Sequence, residues 1–272
     1  MTKFADLHIH THYSDSTSSP QEVVEESLRS GLSCIAITDH DTLEGIMPAQ
    51  EAAQAYDLEI IPGVELSADA DGSDLHILGY YMDLQSGPLL AMLKQAQTTR
   101  VCRIQEMISK LKPLGVDDIE LNEVRALTQS DSVGRLHLAT ILKEKGFVSN
   151  LREAFDKYLG EDSPAYVPKH KISPVEAIRL IRQSGGIAVL AHPMVTNKDE
   201  LIPHLAEAGL QGLEIYYPNY PEVTRSYYQG LADKYHLIVT GGSDAHGKGK
   251  TNTFIGKVKL PYECVEKMKQ LK

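Results

Sequence analysis

Short apolar runs recur along the chain, with helical stretches between them. FADLHI, SCIAITD, LEIIPGVE, LHILGYY, GIAVLAH, GLEIYY and HLIVTGG each have the length and apolar content of a buried strand. Helical windows fill several of the intervals, at residues 20–30, 47–56, 173–184 and 201–208. Strand and helix in alternation predict an α/β fold of parallel βα units, closed as a barrel or laid out as an open sheet. One stretch breaks the rhythm. From about Gly87 to Leu159 the pattern is helical throughout (LLAMLKQAQTTRVCRIQEMISKLKPLG, SVGRLHLATILKEKG, NLREAFDKYLG), with no strand run. The expected organisation is a barrel domain of residues 1–86 and 160–272 interrupted by a helical subdomain, 87–159. The insertion follows a strand at the presumed ligand end, which places it to fold over a site as a lid.

Polar residues fall at telling places in this pattern. The first apolar run gives His8 and His10 with Asp15 just after, the second gives Asp39, His40 and Asp41, and the third ends at Glu65. The fourth carries His76, the fifth ends at His192, the sixth contains Glu214, and the last leads to Asp244 and His246. Residues two apart on a strand share a face, so His8 and His10 stand side by side, able to share one ion. Parallel strands bring their C-terminal ends to one mouth, where ligands distant in sequence converge. A lone histidine on an apolar run is more often a packed core or surface group. Repetition reverses that reading, because burying so many ionisable groups without a cation is costly. Asp6, Asp39, Asp41 and Glu214 fit equally as partners that orient imidazoles. His12, His170, His204 and His236 lie off the pattern, where surface or structural roles are expected.

Composition narrows the chemistry. The 272 residues are 42% hydrophobic and 24% charged, enough to bury a full barrel core. A net charge of -10 leaves no global basic field to grip a long nucleic acid, so a small anion needs a local positive site. Cys34, Cys102 and Cys264 are few, odd in number and far apart, which leaves imidazole and carboxylate as the ligands for a metal. No run approaches a membrane span and no signal-peptide core precedes the first strand; a cytoplasmic protein is the expectation.

The motifs DLHIHTHYSD (6–15), ITDHDT (37–42), PGVE (62–65), LHILGY (75–80), GRLHLA (134–139), AHP (191–193) and GGSDAH (241–246) stand in order over nearly the whole chain. In this the sequence resembles the PHP (polymerase and histidinol phosphatase) family. It is most similar to the branch of bacterial nucleoside 3',5'-bisphosphate phosphatases and the related short-RNA 5'-exonuclease, RNase AM. The resemblance implies a distorted (β/α)7 barrel with a helical insertion and a three-metal site. One ion would take His8, His10, Glu65 and Asp244, a second Glu65, His76 and His192, and a third Asp15, His40 and His246. Asp15 stands where many phosphatases of the family have histidine, giving the third site a harder ligand set. Such a mix suits Mn, Fe or Zn. Arg135 and His137, in the insertion, match a motif the branch carries there, usually with proline in place of Leu136. Arg135 offers a planar fork of donors for phosphate oxygens, His137 accompanies it, and Lys169 and Lys171 are further candidates.

Phosphate-ester hydrolysis needs an attacking hydroxide at neutral pH and neutralised charge on the transferring group, and clustered ions supply both. His192 and Asp244 are the candidates for proton transfer to the leaving oxygen. The expected enzyme is a metal-dependent phosphatase removing the 3'-phosphate of a nucleoside 3',5'-bisphosphate. The alternatives are a 5'-3' exoribonuclease on short 5'-phosphorylated RNA, a histidinol-phosphatase-like enzyme, an amidohydrolase-type deaminase and a non-catalytic metal-binding module. The DHD and SDxH motifs and the absence of a strand-end lysine count against the deaminase; the retained ligands count against the module.

Overall fold

A computed structural model describes residues 2–70, 72–168, 172–249 and 253–272. The expected runs become strands: β1 (Phe4–Ile9), β2 (Cys34–Ile37), β3 (Glu59–Ala70), β4 (Ser73–Tyr80), β5 (Ile187–Leu190), β6 (Gly212–Tyr216) and β7 (Ile238–Gly241), with a short β8 (Leu260–Pro261) after them. Helices α1 (Pro20–Arg29) and α2 (Ile46–Ala53) cover one side. The insertion supplies α3 (Gly87–Leu111), α4 (Leu121–Arg125), α5 (Arg135–Glu144) and α6 (Leu151–Ala154). Then follow α7 (Pro174–Gln183), α8 (Pro193–Thr196), α9 (Ile202–Glu207), α10 (Glu222–Lys234) and α11 (Tyr262–Lys269). Two helix starts have a clear local cause: Ser19 and Ser173 each accept from the backbone of a glutamate three residues on, whose side chain bonds back, and proline occupies the first turn of α1 and of α7.

The strands form one sheet in the order β7-β6-β5-β4-β3-β2-β1-β8. It curls into a barrel because the chain just past β7 returns to β1: His10 N donates to Ala245 O at 3.1 Å and Asp244 N to His8 O at 2.8 Å. Gly242 permits the closure, since a Cβ there would meet His8 N at 2.3 Å. Inside, the buried Tyr80 hydroxyl on β4 donates to Leu7 O on β1 at 2.8 Å, crossing between strands that are not neighbours. The seams β1–β2–β3 and β5–β6–β7 are parallel, and β2 and β5 are buried along their whole length, which is why CIAI and IAVL are apolar at every position.

One expectation about direction is overturned. β4 runs antiparallel to both β3 and β5, so the chain leaves it at the mouth opposite the strand-end ligands. His76 nevertheless reaches the ligand mouth, because it lies in the first half of β4, opposite Ser67 on β3. The insertion therefore begins at the far mouth, and α3 climbs back: from Gly87 to Arg100 the helix rises about 20 Å. Leu89 and Leu93 at its start pack with Ile178 and Ile181 of α7, whereas Ile104, Met107 and Ile108 belong to a separate cluster with Leu138, Leu142, Leu159 and Val167. No helix among the described residues is long and apolar enough to cross a membrane.

Where α3 reaches the ligand mouth, the insertion is fastened to the loops after β1 and β2. Arg100 Nε donates to Asp41 Oδ2 at 2.7 Å, its Nη2 donates to Ser67 Oγ at 3.1 Å, and Gln97 Nε2 bonds Asp41 O at 3.2 Å. Gln129 N and Thr128 Oγ1 both donate to His12 O at 3.0 Å, and Ser132 Oγ to His40 O. The Arg100–Asp41 pair is buried, with side chains 8% and 2% exposed, so losing one partner strands a charge in the interior. We expect Arg100→Ala to cost about 3–5 kcal/mol in urea denaturation. The double variant Arg100→Met/Asp41→Asn should recover much of that loss; a cost below about 1 kcal/mol for Arg100→Ala would show that the pair does not secure the insertion.

Candidate metal centre

The backbone at the mouth is bent to present side chains inward. Asp41, His192 and Asp244 all take positive φ, at 52°, 28° and 49°. Non-glycine residues adopt this region at a cost of about 1–3 kcal/mol and persist in it where the surroundings hold them.

Nine of the residues singled out from the sequence meet there. His8 Nε2 and His10 Nε2 stand 3.3 and 3.2 Å from Glu65 Oε2, and 3.6 and 3.2 Å from Asp244 Oδ1. These four residues form one buried group with the spacing to hold an ion, the set expected for the first metal. Glu65 Oε1 lies 2.7 Å from His76 Nδ1 and 3.2 Å from His192 Nε2, and His40 Nδ1 approaches Oε2 at 3.1 Å. His40, Glu65 and His76 make the second group, so His40 faces Glu65 as well as Asp15, which the resemblance did not imply, and His192 completes the ring around Glu65. The third group is His10, Asp15, His40 and His246, with His246 Nε2 3.1 Å and His40 Nε2 3.9 Å from Asp15. Glu65 is the hub, facing five imidazoles through two oxygens.

These side chains fit divalent cations on their own chemistry. His8 Nε2, His10 Nε2, Asp15 Oδ1, His40 Nδ1, Glu65 Oε2 and His76 Nδ1 are buried atoms without a hydrogen-bond partner. Buried polar atoms left so are costly, and here they point at common centres. Electrostatics agree. Burial opposes ionisation of Glu65 and Asp15, yet His76 and His40 around the first, and His246 and His40 around the second, hold both carboxyls well below the usual range. Burial also opposes a charge on His10 and His76; the carboxylates Asp244 and Glu65 beside the first, and Glu65 and Asp74 beside the second, outweigh it and lift each to about 9. His40 stays well below its ordinary value because burial wins there. The pocket thus sets ionised carboxylates against imidazoles that hold protons in their place, and a divalent ion can take over the role of those protons.

Further carboxylates hold the ligands in place. Glu214 accepts from His8 Nδ1 at 3.0 Å and from His192 N at 2.9 Å, fixing the ring that faces Glu65. Asp39 accepts from Thr11 N, Thr11 Oγ1 and Ser14 Oγ at 2.6–2.7 Å, so it shapes the loop leading to Asp15. Asp6 accepts from Ser243 N at 2.8 Å and Gly256 N at 3.0 Å, bracing the segment before Asp244. His137 is buried in α5; its Nδ1 accepts from Gly134 N at 3.0 Å, and burial lowers its pKa although Asp15 pulls the other way. Lys169, His170 and Lys171 lie outside the described residues. Tyr217 had no signal in sequence: its hydroxyl donates to Asp244 Oδ2 at 2.8 Å and its ring lies 5.4 Å from His192, a place set only by the turn after β6.

A profile of the PHP domain matches residues 6–246. The chain belongs to the PHP family. Among PHP relatives it is 33% identical to the 5'-3' exoribonuclease Rnm of Escherichia coli over 248 residues, covering 89% of this chain and 84% of that one. It is 30% identical to the 3',5'-nucleoside bisphosphate phosphatase of Chromobacterium violaceum over 265 residues, 95% of this chain and 93% of that one. A solved structure described as a metal-dependent phosphoesterase from Bifidobacterium adolescentis superposes with a TM-score of 0.90 at 30% identity, covering 99% and 96% of the two chains. The distorted PHP barrel expected from the motifs is the fold observed.

Two outcomes test the centre. Elemental analysis after Mn²⁺ loading should give more than one ion per chain, because the donors form separate groups around a shared carboxylate; a ratio that never exceeds one overturns the cluster. Glu65→Gln should lower phosphate-ester hydrolysis by orders of magnitude with the circular dichroism spectrum kept, since one substitution weakens every ion that Glu65 faces. Near wild-type turnover would show that Glu65 is not the bridge.

Proposed function

We propose that this PHP protein is a three-ion phosphoesterase that removes the 3'-phosphate of a nucleoside 3',5'-bisphosphate. The observation that carries this reading is the buried carboxylate hub, Glu65, at a mouth roofed by a cation-bearing insertion. Bound Mn, Fe or Zn ions supply the Lewis acidity and charge neutralisation that ester hydrolysis requires. The chain's own residues do the rest. His8, His10, Glu65 and Asp244 hold one ion, Glu65 with His76 and His192 a second, and Asp15, His40 and His246 a third. Glu214 and Asp39 keep the imidazoles and the Asp15 loop in register. We assign proton transfer to the leaving oxygen to His192 and Asp244, a reading supported by their shared contact with Tyr217. Residues 87–159 act as a lid subdomain that excludes water and contributes Arg135, with His137 at its side, to a phosphate that is not cleaved, and Lys169, which follows the insertion in sequence, is a further candidate cation for it.

The relatives favour a second reading alongside the first, since the exoribonuclease and the bisphosphatase are similar to this chain to nearly the same degree. A short RNA with a 5'-phosphate presents the same two neighbouring phosphates, the second as a diester. Phosphate release with Mn²⁺ supplied, compared across 3'-AMP, 5'-AMP, adenosine 3',5'-bisphosphate and short 5'-phosphorylated RNA, decides between them. We expect adenosine 3',5'-bisphosphate to be the best substrate; mononucleotide products from RNA at a higher kcat/KM would transfer the assignment to the exonuclease. Arg135→Ala should lower kcat/KM on the bisphosphate by about tenfold to a hundredfold, the worth of a lost charge-assisted hydrogen bond, and on p-nitrophenyl phosphate by much less. Equal losses on both would place Arg135 at the reacting phosphate or in a structural role.

A further inference from the structure

The chain turns sharply after β6. Tyr217 O accepts from Tyr220 N at 3.2 Å, Pro218 takes the second position and Asn219 the third with φ 64°, which is the pattern of a type II turn. The turn sets Tyr217 and Tyr220 side by side, with ring centroids 5.2 Å apart. Tyr220, 8% exposed, fixes the pair to the barrel, since its hydroxyl accepts from Met194 N at 2.9 Å in the first turn of α8. Tyr217 thereby stands against two ligand residues that follow different strands. Its hydroxyl donates to Asp244 Oδ2 at 2.8 Å, and its ring lies 5.4 Å from that of His192. Both of these residues take positive φ, a conformation that persists where the surroundings hold it. A ligating imidazole is usually oriented by a hydrogen bond to its second nitrogen, as Glu214 orients His8 through Nδ1. His192 has no such bond: Nε2 faces Glu65 at 3.2 Å, and Nδ1 is buried without a hydrogen-bond partner among the described residues. The ring of Tyr217 stands in that place.

Asp244 has a different freedom. The last torsion of an aspartate is broad, so either oxygen can turn toward the ions. With Oδ2 accepting from Tyr217, Oδ1 is the oxygen left toward His8 Nε2 and His10 Nε2, at 3.6 and 3.2 Å. Building on the phosphoesterase reading, we propose that Tyr217 is a positioning residue that holds ligands of two ions at once: its hydroxyl fixes which oxygen of Asp244 faces the first ion, and its ring fixes the plane of His192 at the second. Tyr217 acts through these side chains and not on the substrate. A four-residue turn with no ligand of its own braces the segments that follow β5 and β7.

The test measures ion binding as well as turnover. Protein stripped with EDTA is titrated calorimetrically with Mn²⁺, and melting temperatures are taken with and without Mn²⁺, for wild type, Tyr217→Phe and Tyr217→Leu. Tyr217→Phe keeps the ring against His192 and removes the hydrogen bond alone. We expect it to weaken Mn²⁺ binding by about tenfold to a hundredfold, and to shrink the rise in melting temperature that Mn²⁺ produces. Tyr217→Leu, which removes the ring as well, should lose more; if it does not fold, Tyr217→Phe alone decides the proposal. On p-nitrophenyl phosphate at saturating Mn²⁺, Tyr217→Phe should lower kcat by about tenfold or more with KM within about threefold of wild type. A Mn²⁺ affinity of Tyr217→Phe within about threefold of wild type, or melting temperatures lowered equally with and without Mn²⁺, overturns the positioning role and leaves Tyr217 as packing. A raised KM with Mn²⁺ affinity intact overturns it by placing Tyr217 on the substrate, and a folded Tyr217→Leu no worse than Tyr217→Phe overturns the part given to the ring. The two readings fail separately: a wild type that binds Mn²⁺ through Tyr217 but hydrolyses no phosphate ester loses the activity alone, and an active wild type indifferent to Tyr217→Phe loses the positioning role alone.

Discussion

Glu65 is a carboxylate with almost no contact with water, ringed by imidazoles, and the architecture follows from that burial. Removing a charge from solvent is expensive unless opposite charge surrounds it, and neutral histidines offer little. The mouth therefore has to converge from every side of a closed sheet, so that several strands each bring one donor. Closure at the β7–β1 seam depends on Gly242 lying flat against His8, and the ligands just beyond that seam, Asp244 and His246, are in place because of it. Divalent ions fit as the opposite charge, since the donor atoms fall into groups with the spacing to hold an ion and several of them are buried without a hydrogen-bond partner.

The reversal of β4 has a second consequence. A strictly parallel barrel would send the insertion out at the active mouth as a hanging loop. Here it leaves at the other mouth and returns on a long helix whose first turns are packed into the barrel core, so its far end is held by a rigid lever. The same helix carries one arginine that is spent on Asp41 and, one turn on, another that is not. Both are buried, and among the described residues only the first is paired with a carboxylate.

The insertion is also hydrogen-bonded to the ligand loops. Thr128, Gln129 and Ser132 bond backbone carbonyls at His12 and His40, on the loops that present Asp15 and the second-strand histidine.

The convergence of these nine side chains at one mouth was legible in the chain because strand chemistry is local: a two-residue repeat sets HIH on one face, and an apolar run that stops at a charge marks a strand end. The barrel, the helices at residues 20–30 and 173–184 and the helical insertion were legible for the same reason. The direction of β4 was not, since LHILGY reads alike whether its neighbours run with it or against it. Nor was the division of labour among carboxylates: Asp39 and Asp41 flank His40 identically in sequence, and only the fold sends one to Thr11 and Ser14 and the other to an arginine 59 residues away. Tyr217 with Asp244, and Tyr217 with His192, belong to the same class. Each is defined by a distance through space between positions that share no period, and tertiary packing alone decides such distances.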